Sequence, residues 1–355
     1  MGRTGFLLLA VVVAVAAFLL WPLFGGDRAG DRVVVYCSVD QDQSQPVVAA
    51  FEQSTGTPVT LVGEAESARS VGVTRRLEME KDAPVADVLW ANEIMHTVAL
   101  RDLGVLAPLP SGVADPFPAA WRDPKGTYVA FAGRARILLV NTKLLPDAKD
   151  WPTSVEDLVD PKWGGDDRRP AVAAPLTGTT YTHAVATLTR DAEKAQAFWR
   201  KVAERGAKGE VKVVPGNGAV MRMVSDASNG VPWGLTDTDD ARQAIERGDP
   251  VAVVYPDQGE GRFGTVVIPN TVALVRGGKH AAKAEALLRW LVSSESEARL
   301  AAGPIANIPL RDTVAAPSHV KRPGKDFRAA SVDWDAVGRD RDRWRGFLQT
   351  LFTAK

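Results

Sequence analysis

Val33-Val-Val-Tyr-Cys-Ser-Val-Asp-Gln-Asp-Gln-Ser-Gln-Pro-Val-Val-Ala-Ala-Phe-Glu-Gln-Ser-Thr-Gly-Thr-Pro-Val-Thr-Leu-Val62 contains the grammar of the fold in thirty residues. The run Val33–Cys37 is β-rich, residues 45–54 read as a helix, Gly56 supplies a left-handed stop, and residues 58–62 return to a β pattern. The alternation continues with a helix over 71–81, a strand over 86–90 and a helix over 93–102 that ends at Gly104. Strands joined through helices run parallel, so the pattern predicts an α/β fold with a doubly wound sheet.

Residues 128–141 and 264–276 break this rhythm. Both are long and mostly β-prone, and each is interrupted midway, by Gly133-Arg134 in one and Pro269-Asn270 in the other. Strands of that kind can cross between two lobes. Between them, residues 151–159, 171–174, 180–203, 211–214 and 221–229 suffice for a second α/β lobe. A chain of 355 residues with 45% hydrophobic positions also exceeds the usual size of one compact unit. The expected division places 31–132 and 270–355 in lobe 1 and 133–269 in lobe 2. Residues 1–30 form a leader and a tether: residues 5–24 carry no charge, follow Arg3, and are long enough to cross a bilayer core. The run is long for a signal peptide and lacks a clear small-x-small cleavage site, so an uncleaved anchor is expected, with the remainder outside the cytoplasm.

Several function classes are excluded by composition. The 43 basic and 43 acidic residues balance to a formal charge of zero, without the basic excess of a nucleic-acid binder. A single cysteine, Cys37, allows neither an intrachain disulfide nor a cysteine metal site. No Gly-x-Ser-x-Gly or His-Glu-x-x-His occurs, and four scattered histidines do not make a catalytic set, which weighs against a metal-dependent hydrolase as the enzyme alternative.

Two constellations of opposite charge stand out. In Trp233-Gly-Leu-Thr-Asp-Thr-Asp-Asp240, the carboxylates of Asp237, Asp239 and Asp240 follow a short apolar run. If that run is a buried strand, they emerge at its C-terminal end, where open α/β sheets keep ligand crevices. Helix capping accounts for one carboxylate and leaves two repelling each other, so a cation is the expected counterpart. An EF-hand is excluded, because its glycine and glutamate positions are Arg242 and Gly248. The second constellation is an anion cradle. Gly178-Thr-Thr-Tyr-Thr-His183 opens a helix, so backbone N–H groups and the hydroxyls of Thr179, Thr180 and Tyr181 would converge on an anion. Asn217, between Gly216 and Gly218, and Ser67 with Arg69 repeat the arrangement before two further helices. Acids and anion cradles together suit a metal held with a synergistic anion, or a ligand bearing both charges, such as a phosphonate or a phosphorylated sugar. Arg134 and Arg136 share one side of a crossing strand, facing the cleft or a salt-bridged hinge. Trp90 and Trp233 end cleft-directed strands and are candidates for ligand stacking. His96, His280 and His319 are expected at the surface.

The segments Val33-Val-Val-Tyr-Cys-Ser-Val-Asp-Gln41, Phe51-Glu-Gln-Ser-Thr-Gly56, Ala86-Asp-Val-Leu-Trp-Ala-Asn-Glu93, Gly133-Arg-Ala-Arg-Ile-Leu-Leu-Val-Asn-Thr142, Asp160-Pro-Lys-Trp-Gly164 and Ile268-Pro-Asn-Thr-Val-Ala-Leu274 carry a family resemblance. So does the helix pair over 281–302. The chain resembles the periplasmic solute-binding components of ABC importers, in the branch that binds ferric iron. The resemblance implies a type II two-lobed clamp, each lobe a mostly parallel sheet flanked by helices, joined by two crossing strands. It implies no enzymatic chemistry, a periplasmic location, a monomer, and an ABC permease as partner. It also points to Asp40 and Glu93 as ligating side chains; their alternative readings are a helix N-cap and a first-turn acid. The adjacent tyrosine pair of that branch is missing, and Thr236-Asp-Thr-Asp-Asp240 stands in its place. Carboxylates and hydroxyls are hard oxygen donors that suit Fe³⁺, other oxygen-liganded metals or an ammonium group. The leading expectation is capture of Fe³⁺ with an anion, and the alternative is a phosphorylated or phosphonate organic solute.

Overall fold

The computed structural model describes residues 31–63, 69–165 and 168–353, so the leader and Ser67 lie outside the described residues. Among those described, no helix is long and apolar enough to cross a membrane. The first half runs β1 (Val33–Cys37), α1 (Gln41–Thr55), β2 (Val59–Val62), α2 (Arg69–Met79), β3 (Val88–Ala91), α3 (Ile94–Asp102) and the crossing strand β4 (Tyr128–Asn141). There follow β5 (Ala171–Ala173), α4 (Gly178–Arg190), α5 (Ala192–Ala207), β6 (Lys212–Val214), α6 (Asn217–Ser225), β7 (Trp233–Asp237), α7 (Thr238–Glu246) and β8 (Val251–Val254). The second crossing strand is β9 (Val267–Leu274), and α8 (Ala281–Leu291), α9 (Ser294–Ala302) and α10 (Trp334–Phe352) complete the chain.

The strands form one path, β2-β1-β3-β9-β4-β7-β5-β6, with β8 also paired to β4. β1 pairs parallel to β2 and β3 at one end, and β5 pairs parallel to β6 and β7 at the other. The two crossing strands are antiparallel to their neighbours and to each other. β4 is what makes one molecule of two lobes. Its first half pairs with β9, and residues from Arg136 onward pair with β7 and β8. All fourteen of its residues are buried, so the apolar stretches on either side of Gly133-Arg134-Ala135-Arg136 run without polar alternation, and the two arginines are enclosed with them.

The join is a built irregularity. The β4–β9 register shifts between Phe131 and Gly133, and Ala132 takes a φ of 44°, where a side chain is disfavoured. Glu297 of α9 braces this bulge: one carboxylate oxygen accepts from the N–H groups of Ala132 and Leu310, both at 3.0 Å. Gly133 exchanges two backbone hydrogen bonds of 2.7 Å with Ile308.

Some elements depart from the sequence expectation for identifiable reasons. α1 starts at Gln41, four residues before the predicted start, with Pro46 inside it. The first four N–H groups of a helix lack intrahelical partners, so a proline at the sixth position forfeits only one backbone bond. The segment 180–203 holds two helices, divided at Asp191, whose carboxylate accepts from Lys194 N at 3.1 Å and caps α5. α10 was not anticipated; it buries Trp334, Val337, Trp344 and Leu348 and lies along α3, α4 and α5.

Candidate functional site

The register of β4 against β7 places Arg136 opposite Asp237, the last residue of its strand. That pairing organises everything around it. Arg136 is fully buried and its Nη1 lies 2.6 Å from Asp237 Oδ1. The same guanidinium donates to Thr179 Oγ1 at 3.1 Å and to Thr180 Oγ1 at 3.0 Å, both in the first turn of α4. The other oxygen of Asp237 accepts from Thr179 Oγ1 and, at 2.8 Å, from Asn217 Nδ2 at the start of α6. Thr180 Oγ1 donates to Asn217 Oδ1 at 2.9 Å, which closes the network.

Of the residues expected to form an anion cradle, the structure brings Thr179, Thr180 and Asn217 together, with their polar groups turned to a side chain of the protein itself. Thr179, Thr180 and Asn217 converge on Asp237 and Arg136. Tyr181 does not join them: it is buried, its hydroxyl donates to the Arg341 carbonyl of α10, and burial pushes its pKa up to about 12. A helix turn of about 100° per residue separates its direction from those of Thr179 and Thr180. Gly178 takes a φ of 61° at the head of α4, a conformation that suits glycine. Arg69 opens α2, and its side chain, like Ser67, is outside the described part.

The other two acids lie in the first turn of α7. Carboxylate oxygens of Asp237, Asp239 and Asp240 lie within 4.8 Å of one another. Arg134, two residues before Arg136 on β4, approaches Asp239 with Nη1 to Oδ2 of 3.4 Å and donates to Asn270 of β9 at 3.1 Å. Asp240 accepts from Thr236 Oγ1 at 2.7 Å. Burial, and then the neighbouring Asp239 and Asp237, push the pKa of Asp240 up to about 8. Burial also raises Asp239, against the pull of Arg134. Two desolvated carboxylates that would rather hold a proton are a site where a cation can take the proton's place. The cluster is thus less uncompensated than the sequence implied, since both arginines of the crossing strand face it.

Glu93 is the N-cap of α3 and is buried. It accepts from Met95 N at 3.0 Å, His96 N at 3.2 Å and Thr182 Oγ1 of α4 at 2.8 Å. None of these contacts reaches the acidic cluster. The link is indirect, through the first two turns of α4, which hold Asp237 by Thr179 and Glu93 by Thr182. His96 is not at the surface: its ring stacks into the same region with Nε2 3.8 Å from Glu93, and burial lowers its pKa. A cavity of about 10 Å³, room for one water, is lined by Ser38, Glu93, His96 and Thr97. Asp40 is half-buried at the N-cap of α1, where its carbonyl takes the N–H groups of Gln43 and Ser44 and its carboxylate makes no capping bond. His280 is partly buried with Nδ1 2.9 Å from Asp87, and His319 is exposed. Trp90 and Trp233 are fully buried against Phe131 and Trp163, so neither is open to a ligand.

The residues that sequence reasoning did not connect are Thr182, Thr236 and, as the partner of Asp237, Arg136. The spacing of Arg134 and Arg136 carried a signal, because it put both on one side of β4. The register that selects Asp237 as partner spans 101 positions and has no local trace.

Comparison with known proteins agrees with this architecture. Iron uptake protein A1 of Synechocystis sp. is 25% identical over 307 residues, covering 81% of each chain. The crystal structure of iron-bound HitA from Pseudomonas aeruginosa superposes with a TM-score of 0.78 at 20% identity, covering 90% of this chain and 99% of that one. The Trichodesmium protein IdiA (FutA), solved in complex with iron and citrate, gives 0.73 at 18% identity over 90% and 99%. These likenesses establish the type II two-lobed fold. The family profile described as bacterial extracellular solute-binding protein matches residues 47–328. The chain belongs to that family, as a solute-binding component of an ABC transporter.

Proposed function

We propose that the captured solute is a hard metal cation, ferric iron first among them, held by Asp239 and Asp240 with Asp237 behind them. The observation that carries this reading is the convergence of three carboxylates within 4.8 Å at the head of α7. Oxygen donors of this kind suit Fe³⁺, and relatives named for iron uptake and iron binding point the same way. Asp237 has both oxygens engaged by Arg136, Thr179 and Asn217, so its part is electrostatic. Glu93 serves as a latch to Thr182, and Asp40 as an N-cap. A phosphorylated solute is the weaker reading, because the hydroxyl and amide donors it would need are turned to Asp237.

In this reading the clamp divides at the β4 bulge, into 31–132 with 270–355 and 133–269, and closes about β4 and β9. It works as a monomer outside the cytoplasm, carried by its leader as anchor, and releases cargo on docking to a permease. The decisive experiment is a thermal-shift screen of the protein with Fe³⁺, divalent metals, phosphonates and sugar phosphates, repeated on Asp239→Ala. Binding to the native state raises the melting temperature. A rise with Fe³⁺ that disappears in Asp239→Ala supports the assignment. A response confined to phosphorylated compounds, or an iron response that survives the substitution, overturns it.

A further inference from the structure

Building on the cation reading, we infer that Asp237 is the resident anion of the cradle, so that this protein takes its cation without an anion from solution. Three donors from three separate elements meet at this one carboxylate: Arg136 Nη1 of β4 at 2.6 Å, Asn217 Nδ2 of α6 at 2.8 Å, and Thr179 Oγ1 of α4. A guanidinium, an amide and a hydroxyl beside a helix N-terminus are what a small oxyanion would recruit. Here the occupant is covalently part of β7.

The occupant is also fixed. Asp237 is only 2% exposed, and its backbone is held opposite Arg136 by the β4–β7 ladder. Arg136 is itself tied to Thr179 and Thr180, so it cannot swing towards a second partner without breaking those bonds. A free phosphate would have to displace a paired carboxylate held by three donors. With Arg136 paired to Asp237, what an incoming cation meets is the carboxyl groups of Asp239 and Asp240, with the guanidinium of Arg134 beside them. The cation is drawn by carboxylates alone.

The test uses Asp237→Ala, which empties the cradle, and inorganic phosphate and formate as probes. Wild-type protein should show no rise in melting temperature with millimolar phosphate or formate, whereas Asp237→Ala should be stabilised by either, since the vacated donors regain an anion. Should the variant fold poorly, formate-dependent recovery on refolding is the same readout. Asp239→Ala, which leaves Asp237 in place, should not respond. The second arm measures Fe³⁺ affinity in buffer free of carbonate and phosphate. Wild-type affinity should be unchanged when phosphate is added, and Asp237→Ala should lose about tenfold or more and recover it with formate. Stabilisation of the wild type by phosphate, indifference of Asp237→Ala to both anions, or wild-type iron binding that requires an added anion would each overturn the inference. A wild-type protein that binds no cation in any buffer would instead overturn the cation reading, and the anion arm alone would still decide the occupancy of the cradle.

Discussion

Gly234 lies in β7 where an added Cβ would stand 2.8 Å from the Ala171 carbonyl oxygen and 2.5 Å from Val220. The close approach of β7 to β5 and α6 sets the position of Asp237 three residues later, so Gly234→Ala should destabilise by about 1–3 kcal/mol through overpacking, read as a lower urea midpoint. His183 gives a second test at this scale. It is buried one turn after Thr179 and Thr180, its Nδ1 has no partner among the described residues, and burial with the nearby Arg136 pushes its pKa down to about 3 from 6.5. The native state therefore keeps the imidazole neutral across a window in which the unfolded chain binds a proton. Stability must fall as pH drops through 6.5 and cease to fall from this cause near 3. His183→Gln should flatten that slope, and urea unfolding of both proteins at neutral and mildly acidic pH checks it; equal slopes would show that the histidine is charged in the fold. The three acids, Thr179, Thr180 and Asn217 could each be singled out in the sequence as individual residues. Their allegiance was not, because a hydroxyl that could bind a free anion and one that binds Asp237 look alike until the strand register is known.

β4 is where local sequence and long-range structure meet. Its length, its β-prone residues and its interruption at Gly133-Arg134 predicted a crossing strand, since a glycine inside a strand signals a bulge or a close backbone approach. The brace was invisible: Glu297 is 165 residues from Ala132, and as a charged residue in a helix it reads as solvent-facing. Yet its side chain is fully buried, with Arg311 3.4 Å away. Glu297→Ala would leave the Ala132 and Leu310 N–H groups without an acceptor, at roughly 1–3 kcal/mol for each orphaned group. Glu297→Gln keeps the oxygen and should recover most of the loss. Unfolding free energies of the two variants check this, and equal losses in both would mean that charge, not the brace to the bulge, is what matters. The first βαβ units were readable because each is built from contiguous residues with its own stop signals. The boundary at Asp191 and the four-residue β8 were not, since one cap and one half-buried short strand give too little periodicity to register.

At the scale of the molecule, β4 and β9 lie at the centre of the strand path, and α10 packs across α3 and α4 beside them. A clamp hinged on two strands can bend at the bulge, but α10 must slide or pivot with it. Its contact is tight at Gly338, where a Cβ would fall inside van der Waals distance of Val98, so the α3 side is the fixed end. On the α4 side the contacts are polar and adjustable, through Tyr181 to the Arg341 carbonyl and Arg345 over the Tyr181 ring. Glu93 and Thr182 form a latch between α3 and α4 on the same flank. Cation capture and latch formation should then be coupled, because α4 carries Thr179 toward Asp237 and Thr182 toward Glu93 one turn apart. Thr182→Val removes the latch without touching the acidic cluster. It should lower Fe³⁺ affinity by about 1 kcal/mol, roughly fivefold, beyond the stability lost by leaving the buried Glu93 short of one donor. Small-angle scattering supplies the structural half of the test: the wild type should contract on adding Fe³⁺, and the variant should contract less at the same occupancy. Full contraction with unchanged affinity in Thr182→Val would show that closure is governed by the hinge strands alone and that the Glu93 contact follows closure instead of securing it.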